Sequence, residues 1–108
     1  MPSPSLDSAL HAIADPMRRR ILAALKHHRQ DSKAPTQSRQ GVATAQVRGL
    51  CAGDIEEYVQ LSQSTISHHM AILAGAGLVE VVRQGQWRWY RRNEKAIQRL
   101  LKDLKTSL

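Results

Sequence analysis

One stretch constrains this chain more than any other: a predicted helix from Ser62 to about Gly77 whose two sides differ in chemistry. The Ser62 hydroxyl can cap the helix by accepting a hydrogen bond from a first-turn amide, and we expect Gly75 and Gly77 to supply the positive-φ residues that end it. Apolar residues at helical spacing predict a core-facing side: Ile66, Met70, Leu73 and Ala74. The other side carries hydrogen-bonding groups and no carboxylate: Gln63, Ser64, Thr65, Ser67, His68 and His69. Such a side suits the edges of nucleic-acid bases.

A predicted β-hairpin follows, over residues 78–92. β-Branched and aromatic residues flank the segment 83–86, in which Gly85 can adopt a turn conformation. A polar helix beside a basic hairpin can read one groove of DNA while it holds the neighbouring backbone. We therefore predict DNA contacts from Ser62, Gln63, Ser64, Thr65, Ser67, His68 and His69 on the helix, and from Arg83, Gln86, Arg88 and either Arg91 or Arg92 on the hairpin.

The composition agrees with a nucleic-acid partner. The chain has 108 residues, a length that predicts a single domain. Its formal net charge of +7 favours a polyanion as the binding partner. An anionic membrane is the rival partner, but no apolar run approaches the roughly 18 residues needed to span a bilayer. The N-terminus lacks a secretory pattern and Cys51 is the only cysteine, so we expect a cytoplasmic protein without an intramolecular disulfide.

Before this stretch, two helices and a polar loop are predicted. The first helix covers residues 5–14 and can be capped by either Ser5 or Asp7. The second begins at Asp15-Pro16 and extends to about His28. Three arginines at positions 18–20 crowd its first turns, either as a solvated face or as phosphate contacts. Residues 30–46 are polar and rich in helix breakers, which predicts a flexible loop.

Two further helices complete the prediction. One covers residues 53–59, and with the polar helix it forms a helix-turn-helix over residues 53–77. The last covers residues 94–108, is capped by Asn93, and carries a rich apolar stripe that needs a partner surface, for which a second copy of this small chain is a candidate.

Three segments resemble the ArsR family of winged-helix bacterial repressors: residues 15–22, the run 61–70 with 76–79, and the hairpin 83–91. The resemblance implies an α+β fold that is mainly α, a winged helix-turn-helix of about five helices and a two-stranded wing. It further implies a homodimer that is held together by the first and last helices and binds a palindromic operator. It also implies an inducer that relieves repression, either a small molecule or a redox signal, which the sequence does not identify. We assign to the dimer contact Leu6, Leu10, Ile13, Ile97, Leu100, Leu101 and Leu104.

Neither metal site of the family is matched, so we predict no metal and no cofactor. Members that sense arsenic, cadmium or lead use a Cys-x-Cys pair where this chain reads Cys51-Ala52-Gly53, and a single thiol cannot close a metal site. Members that sense zinc, nickel or cobalt use Asp and His residues of the final helix, which here holds only Asp103. Cys51 is then either a small buried thiol or a reactive one near Arg48. Neighbouring histidines such as His68 and His69 point about 100° apart on a helix and do not form a metal-gripping pair.

Three functions come into question for a chain with these features. The first is a sequence-specific DNA-binding regulator, a dimeric repressor. The second is a winged helix that docks an acidic protein, which would place aromatic and large apolar anchors on the exposed helix face, where this sequence has Ser, Gln, Thr and His. The third is an enzyme, for which the sequence offers no nucleophile set, phosphate loop or carboxylate pair. The DNA-binding regulator fits best.

Overall fold

The computed structural model describes residues 5–31, 37–38, 41–42, 49–85 and 87–108. In chain order its elements are α1 (Leu6–Ile13), α2 (Pro16–Asp31), β1 (Gln37–Ser38), β2 (Gly41–Val42), β3 (Leu50–Cys51), α3 (Ala52–Val59), α4 (Gln63–Gly75), β4 (Val79–Gln84), β5 (Trp87–Arg92) and α5 (Glu94–Ser107). The predicted class, mainly helical with a small β-component, is confirmed.

Side chains cap the helices as the sequence predicts. Of the two candidates for α1, Ser5 is the N-cap, and its Oγ accepts a hydrogen bond from the Ser8 amide at 3.1 Å. The Asp15 carboxylate caps α2 by accepting from the Met17 amide at 2.7 Å. Asn93 caps α5 by accepting from the Ala96 amide at 3.2 Å. These bonds satisfy amides that a helix start otherwise leaves unpaired.

The predicted helix-turn-helix consists of α3, a tight turn and α4. The turn depends on Gln60, which adopts the left-handed conformation (φ 55°, ψ 44°) while its amide donates to the Glu56 carbonyl at 2.8 Å. At the far end of α4, Gly77 has φ 76°, and the Leu78 amide donates to the Leu73 carbonyl at 3.0 Å. The prediction for Gly75 was wrong, because that residue lies within the helix and Gly77 alone supplies the positive φ that ends it.

The wing, β4 and β5 with the turn between them, is the predicted hairpin. Its register pairs Val79 with Arg92 and Gln84 with Trp87, and Gly85 takes φ 62° in the turn. The sheet has a third strand that was not predicted: β3 pairs antiparallel with β5, so the strand order is β3-β5-β4. The sheet therefore joins the start of the helix-turn-helix to the wing.

The structure differs from the prediction of a flexible loop over residues 30–46 in those parts of the segment that it describes. The helix α2 continues past His28 to Asp31, and β1 pairs antiparallel with β2. The rest of that loop, residues 32–36, 39–40 and 43–46, lies outside the described residues.

One main core lies between the helices and the sheet. Its most buried large side chains include Ile21, Leu50, Ile55, Ile66, Met70, Leu73 and Leu78. The predicted inner side of α4 is thus confirmed for three of its four residues, while Ala74 is half-buried. Within the described residues, none of the helices is long and apolar enough to cross a membrane.

Candidate nucleic-acid interface

Four side chains of α4 are exposed together and form what we call the reading face: Gln63, Ser64, Ser67 and His68. They lie on the first turns of the helix, opposite the buried Ile66 and Met70. Each can donate or accept hydrogen bonds, and none carries a carboxylate that would repel phosphate. The chemistry predicted for this face is therefore available at the surface.

Ser62 and Thr65 differ from the residues of the reading face because their hydroxyls stabilise the start of α4. Ser62 Oγ accepts from the Thr65 amide at 3.3 Å and lies 2.9 Å from Thr65 Oγ1 and 3.2 Å from Ser64 Oγ. This cluster fixes the first turn of the helix. Both residues lie beside the reading face, and their contribution to DNA contacts stays a prediction.

His69 was predicted among the DNA contacts, and the structure does not support that placement. The residue is buried, with 9% of its surface exposed, and its Nδ1 lies 3.3 Å from Arg18 Nη1. A helix turns by about 100° per residue. That rotation leaves His68 on the reading face and directs His69 into the protein.

The wing brings two arginines next to the reading face. Arg83 and Arg88 are opposite each other in the β4–β5 register and both are exposed. Together with Ser67 and Tyr90 they line a cleft of about 490 Å³ between α4 and the wing. Like charges directly opposite each other destabilise a sheet. Among the described residues neither arginine has a carboxylate partner, so an anion in this cleft would relieve their repulsion.

The last two arginines of the wing are already paired. Arg91 contacts Glu80 through Nε at 3.0 Å and Nη2 at 2.8 Å. Arg92 contacts Glu94 through Nε at 2.9 Å, and its Nη1 donates to the Leu22 carbonyl at 3.4 Å. Arg92 therefore joins the wing to α2 and α5, and it is the weaker of the two alternatives for a phosphate contact. Arg91 is half-exposed and stays a predicted contact, with its charge partly neutralised. Gln86 lies outside the described residues.

Comparison with known proteins agrees with this geometry. Residues 45–81 match the model of the family described as "Bacterial regulatory protein, arsR family". The transcriptional repressor SdpR of Bacillus subtilis is 31% identical over 93 residues, which cover 86% of this chain and 81% of SdpR. This chain belongs to the ArsR family.

Two further similarities agree with this result, one in sequence and one in fold. The uncharacterized HTH-type transcriptional regulator YbzH of Bacillus subtilis is 38% identical over 60 residues, covering 56% of this chain and 60% of YbzH. The homodimeric winged helix-turn-helix DNA-binding domain of a possible ArsR-family regulator from Mycobacterium bovis superimposes with a TM-score of 0.63 at 20% identity, over 94% of this chain and 77% of that one. The family match and the likeness to SdpR make this chain a DNA-binding transcription regulator, a class of protein that is not enzymatic.

Cys51 is buried in a small hydrophobic cluster separate from the main core. Its side chain is 1% exposed and packs with Trp89 and Val82. The thiol donates to Asp54 Oδ2 at 3.1 Å, at the start of α3. Of the two alternatives, this burial favours a structural thiol, since a reactive thiol needs access to its reagent. Arg48 lies outside the described residues, and within the described part of the chain no three metal-binding side chains cluster.

The predicted dimer residues divide by exposure. Leu101 is 61% exposed, whereas Leu100 is 6% exposed and belongs to the core of its own subunit. The other five are half-buried and pack against that core: Leu6, Leu10, Ile13, Ile97 and Leu104. Leu100 therefore offers little surface to a partner, while Leu101 offers the most.

The arginine triplet of α2 also divides. Arg18 is 7% exposed and its Nε donates to the Ala12 carbonyl at 2.5 Å, while Arg19 Nη1 donates to the Ile13 carbonyl at 2.6 Å. Both arginines thus pair with carbonyls at the end of α1. Arg18 is therefore neither part of a solvated face nor exposed for phosphate binding, so neither predicted alternative holds for it. Its spacing from Ile21 and Leu25 was the missed signal, because those positions lie on one buried side of the helix.

Proposed function

We propose that this chain is a homodimeric, sequence-specific repressor. In this proposal α4 enters the major groove with its reading face towards the bases, and the wing arginines contact the backbone beside it. Two copies about 34 Å apart would read two half-sites of an imperfect palindrome. Such a repressor would act in the cytoplasm.

The observation that carries the proposal is the cleft between α4 and the wing. It places Ser67 of α4 beside two arginines that lack a carboxylate partner among the described residues, while Gln63, Ser64 and His68 are exposed on the same helix outside the cleft. Uncharged groups distinguish base edges, and arginines bind phosphate through a planar set of donors. A protein-docking surface would instead place aromatic anchors on α4, and its exposed residues include none.

Two observations support the dimer. Leu101 is exposed on α5, and α5 packs beside α1, the other helix with half-buried leucines. The structurally similar domain from Mycobacterium bovis is described as homodimeric. The assignment as a repressor rests on the likeness to SdpR. Arsenite and thiol oxidants are candidate inducers. Their effect on DNA binding is to be measured for the parent and for Cys51→Ser as the control.

The test is to select bound duplexes from a random pool and to measure the salt dependence of binding for the parent and for Arg88→Ala. Loss of one phosphate contact should weaken binding to all duplexes and reduce the slope of log affinity against log salt by about one unit. Lys102→Ala is the matched control, because it removes one exposed positive charge from α5, away from the cleft. An unchanged slope in Arg88→Ala, or equal changes in both variants, would contradict phosphate binding by the wing.

A further inference from the structure

Arg18 is a buried cation that connects two helices. Its Nε donates to the Ala12 carbonyl at 2.5 Å and its Nη2 to the His11 carbonyl at 3.2 Å. The last carbonyls of a helix have no partner within the helix. Arg18 therefore closes the C-terminal end of α1 from a position on α2. Asp15 Oδ2 lies 3.9 Å from Nη1 and balances part of the charge.

The remaining contact of Arg18 reaches the back of α4. Its Nη1 lies 3.3 Å from His69 Nδ1, and both side chains are buried. A guanidinium can only donate hydrogen bonds, so Nδ1 of His69 must be the acceptor and the ring proton must be on Nε2. His69 immediately follows His68, which is on the reading face. Arg18, on α2, thus connects the last carbonyls of α1 to the middle of α4 through separate hydrogen bonds of one guanidinium.

We propose that Arg18 and His69 form a positioning link that fixes the orientation of α4 relative to α1. The inference rests on the proposed function, in which α1 and α5 hold two subunits together. In a dimer, the orientation of each α4 relative to its own α1 sets the distance and angle between the two reading faces. The link would therefore determine which half-site spacing the protein accepts.

The geometry supports a positioning role over a purely stabilising one. A guanidinium is planar and its donors point in fixed directions, so bonds to two successive carbonyls of α1 leave little freedom for the third bond to His69. The apolar contacts between α1 and α4 are non-directional by comparison. Loss of the hydrogen bond would then leave the fold intact and let α4 tilt.

The experiment measures binding of full-length protein to the selected operator and to versions with one or two base pairs inserted or deleted between the half-sites. His69→Leu removes the acceptor while keeping an apolar group in the buried position. We expect it to fold and dimerise, and to lower the preference for the native spacing about fivefold or more, the lower end of coupling between sites. His69→Asn, which keeps an acceptor near the place of Nδ1, should restore the preference.

Arg18→Met tests the other end of the link, and Arg20→Met is its matched control on the exposed side of α2. If the hydrogen bond is the shared cause, Arg18→Met combined with His69→Leu should change the preference no more than either alone. A folded, dimeric His69→Leu that keeps the parental preference would overturn the link and leave the proposed function standing. A parent protein with no spacing preference at all would overturn the dimeric repressor and the link with it.

Discussion

Side chains on the reading face are exposed, so each can be changed with little effect on the fold. Exposed substitutions away from caps and charges alter the free energy of unfolding by about 0.5 kcal/mol or less. Ser67 and His68 lie on the same helix as Met70, yet only Met70 is in the core. Binding and stability are therefore separable at single residues of α4.

Gln63→Ala combined with His68→Ala should weaken operator binding far more than binding to random duplexes. Each lost base contact costs about 1–3 kcal/mol, and random duplexes do not use those contacts. Fluorescence anisotropy with the selected operator and a scrambled duplex measures the difference. Equal loss on both would show that these side chains do not read bases.

The two neighbouring histidines show what could be predicted at this scale. Helix geometry indicated that their side chains point about 100° apart, but both were predicted on the polar side of the helix, and His69 was placed with the DNA contacts because of its polar chemistry. Its spacing from Ile66 and Leu73 puts it on the core side. What the spacing could not supply was its partner, because Arg18 comes from a segment 51 residues away.

Asp15 links stability to pH. Desolvation raises the pKa of its carboxyl, but hydrogen bonds from the amides of Met17 and Arg18 and the charge of Arg18 outweigh it and hold the pKa below the ordinary value of 3.8. A carboxylate with a lowered pKa stabilises the folded state fully above its unfolded pKa and loses that contribution as pH falls through the folded pKa. The relevant window therefore lies below about pH 4.

Asp15→Asn should be less stable than the parent at pH 7, and the difference should shrink as pH falls below 4. Asparagine can still cap α2 but does not titrate, so only the charge-dependent part is lost. Urea unfolding at pH 7 and at several values between 4 and 2 measures this. A difference that stays constant with pH would contradict the role of the Asp15 charge.

The start of β3 lies close against the backbone of β5. Gly49 precedes it, and a Cβ at that position would lie 2.3 Å from the Tyr90 carbonyl oxygen and 2.9 Å from its carbonyl carbon. Both atoms belong to the backbone of β5, which is paired on its two edges by β3 and β4. The strand cannot move away from Gly49 without breaking one of these pairings.

Gly49→Ala should therefore lower the free energy of unfolding by about 1–3 kcal/mol, the usual cost of overpacking. Gly75→Ala is the matched control, because a Cβ there meets nothing within 4 Å and the residue is helical. It should raise stability by about 0.5–1 kcal/mol. Chemical denaturation of both variants gives the comparison, and a neutral Gly49→Ala would mean that β3 can shift.

The contrast between β3 and the longer elements explains what sequence could predict at this scale. Residues 94–108 and the wing carry a periodic pattern long enough to define them, and both were found. β3 has two residues, Leu50 and Cys51, so it has no period to recognise. It exists because β5 offers an unpaired edge, which is a property of the tertiary structure.

For the whole molecule, the main expectation is self-association through α1 and α5. Leu101→Glu should convert the dimer to a monomer, because a carboxylate would be buried without a partner in the contact. Thr106→Glu, on the opposite side of α5, is the control. Sedimentation velocity measures the change, and circular dichroism should show that both variants keep their helices. A parent protein that sediments as a monomer would contradict the dimer.

The hydroxyl cluster of Ser62 and Thr65 has a consequence for how such regulators diverge. The Ser62 and Thr65 side chains hold the start of α4, and of the four exposed residues of the reading face only Ser64 contacts this cap, at 3.2 Å between the Ser62 and Ser64 hydroxyl oxygens. A duplicated gene can therefore change Gln63, Ser67 and His68, acquire a different operator and keep the cap that starts α4. New operator specificities can arise from this scaffold through a few substitutions at exposed positions, each with a small effect on the free energy of unfolding.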